Sequence, residues 1–265
     1  MAYLDILIFL AIGLGSGFLA GLLGIGGGIV VVPSLLLYFQ LLQSPLQVQM
    51  QLAVGTSLAA MVLTTASAGI SHYRKKAVDF SFAAFLGIGN IGGAICGAYL
   101  TGTFPSRWLQ IVFGIFECLI GIRFFFPQKQ RPDHRKAPPR WTLIGVGFIV
   151  ATLATILGIG GGLVQVPVLA YFGLSIKRAI GTASVLSFFI ALTGSLSLVF
   201  LGIQDQPIPN TAGFVYLPAF IGIGLASILA APWGVKLVHH CPTGIMRKIF
   251  ALILLIIGLI VIAKA

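Results

Sequence analysis

Two short runs carry the residues most able to do chemistry in this chain. Leu23 to Phe39 reads LGIGGGIVVVPSLLLYF, and Leu157 to Phe172 reads LGIGGGLVQVPVLAYF. Gly24, Gly26, Gly27 and Gly28 of the first run recur as Gly158, Gly160, Gly161 and Gly162 in the second. Glycine removes the side chain where a chain turns, permits positive φ and lets another backbone or a solute come close. A short apolar segment follows each cluster, and the first amides of a helix starting there have no partner inside it. Such a terminus carries about half a positive charge and attracts anions, so two of them would make an anion site without an arginine. Close packing of helices is the competing use of such glycines.

Other residues add to these two runs. Pro33 and Pro167 lie within the short segments, where proline frees a carbonyl one turn earlier, either to meet a solute or only to kink the helix. Thr56 and Ser57, with Thr182 and Ser184, bring hydroxyls near the start of two matched segments, where capping and packing compete with holding a ligand oxygen. Glu117 is the one acidic residue deep in a long apolar run, which makes it a candidate proton carrier unless it pairs or snorkels toward Arg123. GIGNIGGAICG, from Gly87 to Gly97, reads as packing, with Asn90 as a polar contact. His72, His239 and His240 lack carboxylate or thiol partners at ligand spacing, and the three cysteines form no CxxC, so neither a metal site nor a cofactor is called for. No nucleophile, base and acid group together, which argues against an enzyme.

The elements that must position these residues belong in lipid. Of 265 residues, 58% are hydrophobic and 8% charged, too few charges to clothe a water-soluble surface. A helix of about 20 apolar residues crosses the hydrocarbon core. By that length, full spans are expected at Leu4 to Leu23, Leu52 to Tyr73, Phe80 to Leu100, Trp108 to Phe126, Ile180 to Leu201, Phe214 to Lys236 and Arg247 to Ala263, with Trp141 to Leu157 borderline in length. Ile29 to Leu42 and Leu163 to Leu174 are too short and are expected to be broken or re-entrant. The fold class is therefore all-α, a polytopic membrane protein of 8 to 10 membrane helices.

The net charge of +11 does not indicate nucleic acid, because Lys and Arg sit in short loops between apolar runs. Alternating segments place 14 of the 16 on one side, in loops 74–76, 123–140, 177–178 and 236–248. The positive-inside rule makes that side cytoplasmic and points to a bacterial inner membrane.

The repetition extends beyond the glycine runs. AVGT at Ala53 to Thr56 matches AIGT at Ala179 to Thr182, and Gly97, Pro105, Phe113 and Gly121 match Gly234, Pro242, Phe250 and Gly258 at one offset. Residues 1–126 and 141–265 thus read as two repeats joined by a basic linker at 127–140. An odd number of crossings in each would invert the second relative to the first, the architecture of alternating-access carriers.

The paired LGIGGG-x4-P segments, the duplication and the length resemble the TauE/SafE family of membrane transporters, the sulfite exporters. The resemblance implies movement of sulfite, sulfonates or other small organic anions across the cytoplasmic membrane, with the glycine runs and the helix starts behind them contacting substrate. A secondary carrier with possible proton coupling is the expected function, with lipid and a small anion as its partners. A passive anion channel and a membrane-embedded enzyme acting on a lipid phosphate are the competitors.

Overall fold

A peptide group left unpaired in hydrocarbon has no water to turn to, so long apolar runs close all their backbone bonds within helices. The computed structural model describes residues 2–23, 27–41, 48–125, 138–203, 209–238 and 243–265. Most of the linker at 127–140, with His239 and His240, lies outside them. Among the described residues the chain forms ten helices. These are α1 (Ala2–Leu23), α2 (Gly28–Leu41), α3 (Gln49–Arg74), α4 (Phe80–Thr103), α5 (Ser106–Phe125), α6 (Arg140–Ile156), α7 (Gly162–Tyr171), α8 (Ile176–Gly202), α9 (Leu217–Val238) and α10 (Thr243–Ala263).

Every apolar run expected from length is a helix. The starts differ by up to four residues, as at α8, which begins at Ile176 and not Ile180. α9 begins three residues later than Phe214, because β1 (Thr211–Ala212) and β2 (Val215–Tyr216) form a small hairpin there. Gly213 takes the positive φ its turn needs, and Asn210 takes one just before β1. α10 begins at Thr243, four residues before Arg247.

Five helices, α1, α3, α4, α5 and α8, contain windows long and apolar enough to cross a membrane. The outer faces agree with that composition. Ile88, Ile91 and Ile95 on α4, Ile115, Leu119 and Ile122 on α5, and Leu252, Ile256 and Leu259 on α10 are exposed at helical spacing. Water would penalise such a surface; lipid is its natural solvent.

Inside, small residues let backbones approach. On α4, a Cβ at Gly89 would overlap the Ile144 carbonyl of α6, one at Gly93 the Phe148 carbonyl, and one at Gly97 the Thr152 carbonyl. Position numbers rise together, so α4 and α6 run parallel. The same holds for α1 and α9, where Gly13 meets Ile223 and Gly17 meets Ser227. By contrast α5 and α10 are antiparallel, with Gly114 against Ile262 and Gly121 against Ala251. So are α3 and α8, with Leu58 at Gly194 and Gly69 at Val185.

Two ends of the bundle are thereby distinguished. Arg178 forms an ion pair of 2.9 Å with Asp79, and the Arg140 guanidinium lies over the Phe85 ring, so segments near 79, 140 and 178 share one end. At the other end Met50 N donates to Ser106 Oγ, and Gln51 Nε2 donates to the Phe104 carbonyl.

Close backbone approach makes a strong demand on residue size. Gly93→Val is expected to lower the thermal midpoint of detergent-solubilised protein sharply, or to prevent recovery of a monodisperse species. Gly145 is the control, since no atom lies within 4 Å of the place where an alanine methyl would stand. Gly145→Ala should be neutral or stabilising by about 0.5–1 kcal/mol in the same melt.

Candidate functional site

The two short helices begin at the same place and leave in opposite directions. α2 has 14 residues and α7 has 10, lengths of about 21 and 15 Å that fall short of a hydrocarbon core of about 30 Å. α2 runs to an aromatic cluster in which Tyr38 and Phe39 meet Phe9 and Tyr216. α7 runs the other way, to where Phe172 stacks on Phe82 beside the Asp79 end.

The start of α2 touches the turn that leads into α7. A Cβ on Gly28, the first residue of α2, would overlap the Gly158 carbonyl oxygen and the Ile159 backbone. Gly158, Gly160 and Gly161 all have φ near +67 to +83°, a region closed to most side chains, and Gly161 is the N-cap of α7 with no side chain capping it. Ser57 Oγ donates to the Gly158 carbonyl at 2.8 Å, tying α3 to this turn. On the other strand of the crossing, the Gly27 carbonyl accepts from the amides of Val30 and Val31, and Gly27 packs on Ser16. Gly27, Gly28, Gly158, Gly160, Gly161 and Gly162 are all buried. Gly24 and Gly26 lie outside the described residues.

This arrangement presents two helix N-termini to one interior locus. Their partial charges are positive, and the polar side chains nearby are hydroxyls and carboxamides.

The matched threonines do something different from what ligand contact would require. Thr182 Oγ1 accepts from Asp79 N at 2.9 Å, where Asp79 is the N-cap of α4. Thr56 Oγ1 accepts from Tyr216 N at 2.9 Å, just before α9. The glycine preceding each threonine fits the same segment: Gly181 lies on the Ala77 carbonyl and Gly55 on the Phe214 carbonyl. Each Gly-Thr pair therefore clamps the entry to a helix of the opposite half. Ser184 Oγ bonds back to the Ile180 carbonyl of its own helix at 2.9 Å.

Pro33 is buried in the core around α2, and Pro167 faces outward from α7. Glu117 sits elsewhere, in the α5/α10 seam between Gly114 and Gly121, fully buried with neither carboxylate oxygen hydrogen-bonded. Leu254, which occupies the matching position of the second repeat, is also fully buried.

Comparison with known proteins bears on this locus. The model of the family described as "Sulfite exporter TauE/SafE" matches residues 9–261, nearly the whole chain and both glycine runs. The chain belongs to the TauE/SafE family. Among curated relatives of this TauE/SafE protein, a "Probable membrane transporter protein" of Haemophilus influenzae is 29% identical over 257 residues, 96% of this chain and 97% of the relative. A "Probable membrane transporter protein" of Bacillus subtilis, YunE, is 31% identical over 218 residues, 75% of this chain and 80% of the relative. Another, from Methanocaldococcus jannaschii, is 28% identical over 265 residues, 95% of this chain and 93% of the relative. No solved structure matches. These relatives and the membrane-length helices identify a multi-pass membrane protein of a transporter family.

Several residues at the locus are not marked out by the sequence alone. Met61 packs against Gly28 and Gly160, Ser16 against Gly27, and Gln165 against Gly161. Only Gln165 leaves a signal, as a carboxamide in a helix start whose first-repeat copy has Val31.

The threonine clamps yield a direct test. Thr182→Val keeps shape but leaves the Asp79 amide unpaired and should destabilise by about 1–2 kcal/mol in a reversible denaturation assay. Thr182→Ser should restore most of the loss, and Arg178→Ala, which removes only the exposed ion pair, should cost less than about 1 kcal/mol.

Proposed function

We propose that this protein is a secondary carrier for a small anion, sulfite or a related sulfur or organic oxyanion, with its site where α2 and α7 begin. The observation that carries the reading is the contact of Gly28 with Gly158 and Ile159, which brings two helix N-termini of opposed direction together in the interior. Membership of a family described as sulfite exporters supports the choice of an anion.

In this reading residues 1–126 and 141–265 are inverted repeats about that contact. Support comes from the directions of packing. The matched helices α3 and α8 run antiparallel, as do α5 and α10, and α1 pairs with α9 as α6 pairs with α4. Rocking of one set against the other would expose the site alternately to the two sides. The end bearing Asp79, Arg140 and Arg178 is the cytoplasmic one, by the excess of Lys and Arg in its loops, and the membrane is a bacterial inner membrane.

Glu117 is the candidate for proton coupling. An intramembrane carboxyl without a hydrogen-bond partner is expensive to keep, and loading and unloading a proton gives it a use.

Proteoliposome flux tests the carrier directly, with radiolabelled sulfite, thiosulfate, a sulfonate and a carboxylate, with and without a pH gradient. Saturable uptake of at least one anion, abolished in folded Gly27→Val with Gly161→Val, is the expected result. Uptake that does not saturate would mean a channel, and no uptake of any anion would overturn the reading. Glu117→Gln should abolish pH-driven accumulation while anion-for-anion exchange persists. Unchanged accumulation in that variant would remove Glu117 from coupling.

A further inference from the structure

Three buried polar groups bracket the second glycine turn without a partner. Thr155 Oγ1, on the last turn of α6, is fully buried; Gln165 Oε1, on the first turns of α7, belongs to a residue 2% exposed; Ser187 Oγ, on α8, to one 3% exposed. α8 ties them to the turn. A Cβ at Gly161 would meet Ile190, one turn from Ser187, and a Cβ at Gly194, one turn further on, would meet Thr155. A buried polar atom without a partner costs about 1–3 kcal/mol, so three around one interrupted helix call for hydrogen-bond partners.

The orientation of Gln165 is fixed from behind. The carboxamide nitrogen of Asn90 on α4 donates to the Leu86 carbonyl at 3.2 Å and the Gly147 carbonyl at 3.0 Å. Carbonyls only accept, so the Asn90 oxygen must face the other way, where it accepts from Gln165 Nε2 at 2.7 Å. With its nitrogen committed to Asn90, Gln165 keeps its oxygen as the end left without a partner. A glutamine free to rotate could offer either end; this one offers an acceptor.

The first repeat lacks this device. Ser227, which matches Asn90, donates to the Gly13 carbonyl at 3.0 Å just as Asn90 donates to Gly147, but Val31 stands where Gln165 does. The bond to the glycine carbonyl is thus common packing, and the fixed acceptor is an addition on one side only.

Resting on the anion-carrier reading, we propose that Asn90-held Gln165, with Thr155 and Ser187, forms a subsite for an oxyanion that carries one proton. The ligand's O–H donates to Gln165 Oε1. Its charged oxygens accept from the two hydroxyls, which rotate freely, and from the first amides of α7. A fully deprotonated oxyanion would set an oxygen against the Gln165 oxygen, acceptor to acceptor, and be rejected.

Equilibrium binding and counterflow in purified, reconstituted protein test this with sulfite, which takes up a proton near neutrality, and sulfate, which does not. Wild type should bind sulfite more tightly as pH falls from 8 to 6 and should discriminate against sulfate. Gln165→Leu, of similar volume, should weaken sulfite by about tenfold or more and flatten the pH dependence. Asn90→Ala frees the amide of Gln165 to invert, and should raise sulfate relative to sulfite while the protein remains monodisperse. Ser187→Ala should weaken sulfite without changing the sulfite-to-sulfate ratio. Sulfite bound by wild type without preference over sulfate, or unaltered preference in both Gln165→Leu and Asn90→Ala, would overturn the subsite while leaving an anion carrier standing. Neither anion bound or moved by wild type would instead strike at the carrier reading itself.

Discussion

The structure turns on the cost of leaving a peptide group unpaired inside lipid. Two helices, α2 and α7, start in the interior instead of at a membrane surface, and their free amides have to be sheltered by protein. Bringing the two starts together does this, since each then lies within the other's shelter and away from hydrocarbon. The glycines follow from that choice. Gly28 on Gly158 is a backbone-to-backbone contact that no side chain could permit, and the left-handed residues at 158, 160 and 161 turn the chain within a few positions.

The surrounding helices extend the same logic of small residues and shared backbone. α4 is notched at Gly89, Gly93 and Gly97 so that α6 can lie against its spine, and α1 is notched at Gly13 and Gly17 for α9. Because lipid offers no hydrophobic drive to bring helices together, association has to come from such close contact and from a few interhelical hydrogen bonds. Thr152 to the Gly93 carbonyl and Ser227 to the Gly13 carbonyl are of that kind.

Much of this is legible in the sequence. Apolar length locates all ten helices, because in lipid the backbone leaves no alternative to a helix, and the repeated LGIGGG runs mark the two that are too short. The small hairpin before α9 leaves no such trace, since its turn is held by tertiary contact with α3 and α8, through Thr56 and the Leu198 carbonyl, and not by a strong local signal. The locus is only half visible. Glycine spacing announces where backbones meet, but the tasks of Thr56 and Thr182 depend on segments 160 and 103 residues distant in the chain, beyond any local pattern. Gln165 needs Asn90, 75 positions away, before its orientation means anything.

Pairing α1 with α9, and fixing the entry of α4 with a hydroxyl from α8, also has a consequence for biogenesis. α1 is made some 200 residues before its main partner α9, which at ordinary elongation rates of about 5–20 residues per second means a wait of about 10–40 seconds. During that interval the notched face of α1 is open to lipid or to the insertion machinery. Neither half can reach its final packing before α9 and α10 have been made, so the decisive step of assembly waits for them.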